Sequence, residues 1–337
     1  MRNIDIKDLL PRRETVYDRT AVRELIDGKS VLITGAGGSI GSELARQIDA
    51  LGPKRLTLVD NSEFNLYTIS EQLPSAKAVY ADVRQYISVK DFMSRAKPDV
   101  VFHAAALKHV PIVEANPLEG INTNIIGTHN VVSECAWNHV ERMVMISTDK
   151  AVRPTSVMGA TKRMAEMCCR NMEYSAVRFG NVMGSSGSVV PLFVRQIKRC
   201  GPVTITHEDI ERYFMSVDEA VELVLQAATA DPATYVLDMG SPMRIKDLAT
   251  DMIRLSGLMP GEAIEIQTTG MRPGERLTEE LFYAAEDVAP SGMAGIMVTL
   301  DKGKTYSTDA IHNLKEFIMY NNRAGALRLV WDVVNEA

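Results

Sequence analysis

The sequence is short of cysteine, of aromatic residues and of long apolar runs, and it has no excess of basic charge. Its four cysteines, Cys135, Cys168, Cys169 and Cys200, show no C-x-x-C spacing and two are adjacent, which excludes the usual zinc patterns and a disulfide framework. No metal is expected, and the thiols read as reduced and buried in a cytoplasmic protein. Lys plus Arg number 37 against 43 for Asp plus Glu, a formal charge of -6 with no basic tract, so the electrostatic footprint of a nucleic-acid-binding protein is missing. No window offers the roughly 18 uncharged apolar residues of a membrane span. The opening MRNIDIKDLLPRRE mixes charged and apolar residues, unlike a signal peptide. The chain as given therefore reads as soluble. Repeats and low-complexity tracts are also absent. With 46% hydrophobic and 24% charged residues, the composition is that of an ordinary globular protein.

Short β-branched, apolar runs occur at SVLIT (30–34), RLTLV (55–59), DVVFH (99–103), RMVMIS (142–147) and YSAVRF (174–179). Between them lie stretches of helical period such as IGSELARQIDAL and VMGATKRMAEMCCRNM. This alternation predicts an α/β fold, a Rossmann-like doubly wound parallel sheet with a smaller interleaved C-terminal substrate lobe. Residues 1–28 read as an N-terminal arm with a short helix near Arg19 to Ile26, and 29–180 as a dinucleotide-binding domain with sheet additions from about 203–238. Residues 181–202 and 239–337 read as the substrate lobe.

The first strand runs into Thr34-Gly35-Ala36-Gly37-Gly38-Ser39-Ile40-Gly41 and then a helix, the setting in which a glycine pattern signals a dinucleotide. Gly35 and Gly38 allow a tight turn and close approach to pyrophosphate, Gly41 allows close helix–strand packing, and Ser39 and Ile40 open the helix whose N-terminus faces the negative charge. Asp60, 19 residues after Gly41, ends the second strand where a carboxylate accepts from the adenosine ribose hydroxyls. Ser62 follows within Asn61-Ser62-Glu63-Phe64, which lacks the Arg or Lys a 2'-phosphate needs, so NAD is favoured over NADP. Asp82-Val83 reads either as an adenine contact or as a surface turn.

T-G-x-x-G-x-x-G at 34–41, HAAA at 103–106, NTN at 122–124 and G-A-T-K ending at Lys162 resemble the extended short-chain dehydrogenases/reductases, over nearly the whole chain from Ser30. More narrowly, ALKHVP (106–111), STDKAVRPTSVMGATKR (147–163), RFGNVMGSSGSVVP (178–191), RYFMS (212–216) and RPGE (272–275) resemble bacterial nucleotide-sugar 4,6-dehydratases acting on UDP-N-acetylglucosamine. One departure matters: the family's Tyr-x-x-x-Lys has Met158 at the Tyr position, and a thioether cannot take a proton from an alcohol. The resemblance is therefore to the branch with Met for Tyr, whose members are typically long, membrane-anchored and retain configuration at C5; this chain resembles its catalytic domain.

That resemblance implies NAD that stays bound and is recycled, with Ala104 and Ala105 beside it. Thr148, Asp149 and Lys150 follow directly on a strand, at the sheet end where such folds place ligands. A protonated Asp149 would donate to the C6 hydroxyl, a neutral Lys150 would remove the C5 proton, and Thr148 would bond the C4 hydroxyl. The alternative is that Asp149 caps the next helix and Lys150 is a solvated neighbour. Lys162 would bind the nicotinamide ribose. For the nucleotide sugar, Arg272 would pair with the diphosphate and Glu275 would accept from the uridine ribose, with Asn181 and Ser186 on the Gly/Ser loop and Lys108 nearby. His103 and His109 read as structural. The helices from Gly120 and from Met158 are those by which this family dimerises, so a homo-oligomer is expected. The same reaction on GDP-N-acetylglucosamine, a nucleotide-sugar 4-epimerase and a non-catalytic NAD-binding protein remain alternatives.

Overall fold

The computed structural model of the chain describes Leu9 and residues 18–282, 288–300 and 306–335. Of the six strands of the first half, β1 (Ser30–Thr34), β2 (Arg55–Asp60), β3 (Lys77–Tyr80), β4 (Val100–His103), β5 (Arg142–Ile146) and β6 (Ser175–Arg178), all but β3 fall on the apolar runs read from the sequence, and β3 is a largely exposed strand at the sheet edge. Those runs are continuous rather than alternating because both faces of the sheet are covered. Val31 and Ile33 enter one core while Leu32 enters the other, and Val100 and Phe102 are divided from Val101 in the same way.

Helices α1 (Arg19–Ile26), α2 (Ser39–Ala50), α3 (Glu63–Gln72), α4 (Tyr86–Ala96), α5 (Val110–Ala115), α6 (Pro117–Ile121), α7 (Thr128–Trp137) and α8 (Val157–Asn171) accompany these strands. A π-helical turn, Asn122–Gly127, joins α6 to α7. The second half adds β7 (Asn181–Val182), α9 (Val189–Lys198), β8 (Val203–Ile205), β9 (Glu211–Arg212), β10 (Phe214–Met215), α10 (Val217–Ala227), β11 (Thr234–Leu237), β12 (Met243–Arg244), α11 (Ile245–Leu255), β13 (Ile266–Thr268), β14 (Val288–Pro290) and β15 (Ile296–Thr299). Two helices, α12 (Thr308–Met319) and α13 (Arg323–Asn335), close the described chain.

The main sheet has nine strands in the order β14-β15-β11-β6-β5-β4-β1-β2-β3. It is parallel from β3 to β11, and β15 and β14 add antiparallel at one edge. The order reverses between β1 and β4, so a crevice opens at their carboxyl ends, the ligand position of open α/β sheets.

Three boundaries and the burial of one cysteine differ from the sequence reading. The arm is no arm over its described helix: α1 buries Val22 and Ile26 in the main core, with Asp18 capping it. The region about 203–238 joins the main sheet only through β11, because β8 pairs with β13 in a separate small sheet. Residues 288–299 belong to the main sheet rather than the substrate lobe. Cys200 is exposed, whereas the other three thiols are buried.

The C-terminal pair α12/α13 also lies outside the substrate lobe. Ala310, Ile311, Leu314, Ala326, Val330 and Val334 pack on Ile121, Ile125, Ala160 and Met164, so the helices expected to dimerise are covered along this face by the chain's own C-terminal pair. The lobe proper has its own core, built from α9, α11 and the small strands around Phe193, Leu248 and Ile253, with Leu9 packed into it.

Candidate active site

Gly35 ends β1 at φ +68, and a Cβ there would lie 2.5 Å from the Ala105 nitrogen, so strand ends β1 and β4 approach closely only because this residue is glycine. A Cβ on Gly41 would lie 2.0 Å from the Gly35 carbonyl oxygen. Gly38 occupies the N-cap of α2 and brings no side chain to its first amides, which leaves them open to an anion. The Asp60 carboxylate accepts from the Gly37 amide (2.9 Å) and from the Ser62 amide (2.8 Å), tying the glycine turn to the end of β2. Gly41→Ala is expected to force the turn apart, lowering stability by about 1–3 kcal/mol and abolishing dinucleotide binding; thermal unfolding with and without added NAD checks both.

Two cavities meet at Gly35, Gly38, Asn65, Ala104, Ala106 and Leu107. One, of about 470 Å³, is lined by Asp60, Ser62, Val83, Ala105 and Arg84, a set suited to an adenosine. Asp82 is absent from that lining because Arg84 takes its carboxylate: Nε donates at 3.0 and 2.9 Å and Nη2 at 2.6 Å. Burial acts to raise the Asp82 pKa, but these bonds outweigh it and hold the group below its ordinary value. Arg84 also reaches Glu119 at 2.7 Å. An arginine already matched by two carboxylates is poorly placed to receive a 2'-phosphate, in keeping with NAD.

The second cavity, of about 490 Å³, is lined by Ser39, Ile40, Lys108, Thr148, Lys150, Met158, Lys162, Asn181 and Ser186 among others. Its floor is set by the end of β5, where Thr148 caps a 3-10 turn, Asp149–Ala151. Thr148 Oγ1 donates to Asp149 Oδ1 at 2.9 Å, and Lys150 Nζ donates to the same oxygen at 2.9 Å and to Asn181 Oδ1 at 3.3 Å. Lys150 faces the cavity, but Asp149 is fully buried, does not line it, and its Oδ2 has no hydrogen-bond partner. Asp149 therefore stands behind Lys150, its amide bonded to the Phe179 carbonyl and its side chain lying under Gly180.

Met158, Lys162 and Glu166 follow one another at i, i+4 and i+8 on α8 and so form one row facing the sheet. Lys162 Nζ donates to the Ile146 carbonyl at 2.6 Å, and burial lowers its pKa to about 8. Glu166 accepts from Ser147 Oγ at 2.5 Å and from Arg178 at 2.7 and 2.8 Å. Burial would raise its pKa, but Arg178, then Arg163 and Ser147, carry it down to about 2. This buried pair ties β6 and α8 to Ser147, just before the Asp149–Ala151 turn. Asn124, also fully buried, holds the segment after β4 by bonding both the amide and the carbonyl of Leu107 (2.8 and 2.9 Å) and Thr161 (2.9 Å), which presents Lys108 to the cavity.

Other expected positions are redistributed. Asn181 lies on β7 beside Lys150 rather than on the Gly/Ser loop. Ser186 donates its amide to Ser39 Oγ at 3.0 Å, so the loop lies over the N-terminus of α2. Arg272 and Glu275 line neither cavity; they sit on a turn, not a helix, where Glu275 accepts from Thr206 (3.0 Å) and from the Arg272 amide (3.1 Å). His103 is structural, held neutral between the Thr34 and Thr128 hydroxyls with burial lowering its pKa to about 3. The His109 ring lies against Gly187 and lines the cavity.

Glu279 was missed, although the LTEE that follows RPGE carried the signal of adjacent carboxylates. It is buried, with Oε1 3.8 Å from Lys150 Nζ and 3.9 Å from Arg212 Nη2. Among the described residues no cluster suits a metal ion and no helix is long and apolar enough to cross a membrane.

Comparison with known proteins follows the same lines. The sequence profile of the family described as "Polysaccharide biosynthesis protein" matches residues 31–301. The chain is 45% identical to the capsular polysaccharide biosynthesis protein CapD of Staphylococcus aureus over 302 residues, covering 85% of this chain and 50% of that one. It spans about half the length of CapD and of the probable polysaccharide biosynthesis protein EpsC of Bacillus subtilis, also 45% identical. A Rickettsia akari protein named UDP-glucose 4-epimerase is 34% identical over 79% of this chain and 81% of its own. Among solved structures, Pen from Bacillus thuringiensis superposes with a TM-score of 0.76 at 32% identity, covering 84% of this chain and 90% of that one. A double mutant of DesIV, a dTDP-glucose 4,6-dehydratase from Streptomyces venezuelae, with NAD bound, shares the fold at a TM-score of 0.68 and 20% identity, covering 74% of this chain and 87% of that one.

Proposed function

We propose that this chain, which belongs to the polysaccharide biosynthesis protein family, binds NAD and catalyses 4,6-dehydration of a nucleotide-activated N-acetylhexosamine, UDP-N-acetylglucosamine first among them, with the C5 configuration retained. The observation that carries the reading is a cavity-facing lysine backed by a buried carboxylate at the carboxyl end of β5, in a cavity with no tyrosine among its lining residues. An epimerase shares the C4 oxidation but expels no water, so it has no C5 proton for the amine to take and no leaving hydroxyl to protonate. The NAD-bound neighbour of the same fold supports the cofactor, and the glycine cradle with Asp60 fits it.

Held by the glycine cradle and Asp60, NAD would supply a hydride acceptor for C4 and a hydride donor for C6. Lys162 holds the nicotinamide ribose, and the Thr148 hydroxyl orients the C4 hydroxyl. Once C4 is a ketone the C5 proton is acidic, and Lys150, as the group of the pair that faces the cavity, takes it as a free amine and passes it to the departing C6 hydroxyl. Asp149 acts from behind, holding the ammonium form of Lys150 through the 2.9 Å bond. The Ser186 amide on Ser39 Oγ draws the Gly/Ser loop over the cofactor's entry, which suits a cofactor that is not exchanged between turnovers.

Incubation with UDP-N-acetylglucosamine is expected to give a product lighter by one water. A product of unchanged mass with inverted C4 would support an epimerase, and conversion of only the GDP-sugar would move the nucleotide. Met158→Tyr is expected to lower activity rather than raise it. The Met158 side chain is nearly fully buried against Val113 and Val157, so a phenol there crowds the site, and a several-fold rise in turnover would contradict this.

A further inference from the structure

We propose that Glu279 is the third proton-holding group of the site, a positioning residue that works through Lys150 and stands in for the missing tyrosine. The inference rests on the dehydration reading and follows from counting protons. At rest, an ion-paired Asp149 and Lys150 hold one proton between them. Oxidation at C4 breaks the C4–H and O–H bonds; the hydride goes to NAD and the hydroxyl proton must go to a base. If the pair accepts it, both members are protonated and nothing remains to take the C5 proton. A third acceptor is needed, and Met158 cannot serve.

Glu279 answers that need by position. Its Oε1 lies 3.8 Å from Lys150 Nζ, on an amine whose other contacts are Asp149 Oδ1 and Asn181 Oδ1. The charged groups facing it are Lys150 and Asp149 from the catalytic turn, Arg212 from β9 and Arg276 from its own segment. Burial raises its pKa, with Asp149 acting in the same direction, and Lys150, Arg212 and Arg276 opposing. The segment is fastened to the turn at three further points: Arg276 donates to the carbonyls of Val152 and Arg153, Arg153 pairs with Glu280, and Thr155 Oγ1 reaches the Gly274 carbonyl at 3.4 Å.

The proton balance then closes. The C4 hydroxyl proton passes by Lys150 to Glu279, leaving Lys150 able to release its own proton to Asp149 and accept that of C5. The C5–H and C6–O bonds break as the proton moves from Lys150 to the leaving hydroxyl, and water departs. As the hydride forms the C6–H bond, the proton on Glu279 returns through Lys150 to C5, and Asp149 gives its proton back to Lys150, restoring the resting ion pair.

The test compares wild type with Glu279→Gln and Glu279→Asp, each purified with its bound NAD. Glu279→Gln is expected to lower kcat by about 100-fold with KM nearly unchanged, and to remove the acid limb of the kcat–pH profile. Glu279→Asp should restore part of the rate and shift that limb. A Glu279→Gln rate within about threefold of wild type, or an acid limb that persists unshifted in both variants, overturns the proposal. If the amide variant does not fold, the aspartate variant's pH limb decides in the same way. A second readout is independent of the reaction: the Lys150 Nζ signal of nitrogen-15 lysine-labelled protein should titrate about one pH unit lower in Glu279→Gln. An unmoved midpoint overturns the coupling. A shifted midpoint in a wild type that turns over no nucleotide sugar supports the coupling and refutes the dehydration reading instead.

Discussion

Lys150→Met is expected to lower the rate of water loss by about 10³-fold or more while the protein still folds and carries NAD. The substitution keeps the apolar stem and removes only the amine, so the cavity wall stays while the group that meets the C5 proton is lost. It also leaves Asp149 fully buried with Thr148 as its one hydrogen-bond partner on Oδ1 and none on Oδ2. Orphaning a buried charge costs about 3–5 kcal/mol, so the variant should melt earlier than wild type. Adding Asp149→Asn should recover much of that stability and none of the rate. Product mass spectrometry and thermal unfolding separate the two effects. Turnover near wild type in Lys150→Met would remove the amine from the mechanism.

Arg178→Leu is expected to destabilise the fold by about 3–5 kcal/mol. Arg178 and Glu166 are both fully buried, and the arginine meets the carboxylate through Nε and Nη2 at 2.7 and 2.8 Å. Removing it takes away the bidentate partner of a fully buried carboxylate and leaves Arg163, at 3.3 Å, and the Ser147 hydroxyl to meet it; replacing both by leucine should return much of the loss. The pair also sets a pH response. Glu166 has a folded-state pKa of about 2, below its ordinary 4.5, so the unfolded chain binds the proton first as pH falls. Its contribution to stability is complete above the ordinary value and is lost as pH falls from there through about 2. Urea unfolding from neutral pH down toward 3 should show this decline in wild type and a flatter one in the double leucine variant.

The strands were legible because burial on both faces writes them as unbroken apolar runs, and the cradle because glycine is the residue that permits the Gly35 and Gly41 contacts. What escaped depended on partners distant in sequence. α1 looks polar, yet its Val22 and Ile26 find the main core through α10. The C-terminal pair gives no sign in its own pattern that α8 is its partner. Asp82 reads as an adenine contact until Arg84, two residues on, is seen to take its carboxylate. Asp149 and Lys150 are neighbours in sequence, but only Lys150 lines the cavity. Glu279 lies 129 residues from the lysine it touches, and no local spacing connects them.

Proton NMR of the purified protein with UDP-N-acetylglucosamine in deuterated water, without added NAD, tests the central claim most directly. The account predicts a new C6 methyl signal and one deuterium at C5 of a product that has lost water, with the C5 coupling of the retained configuration. Unlabelled sugar with only its C4 configuration changed, or no reaction even with added NAD and with the GDP-sugar, would contradict it.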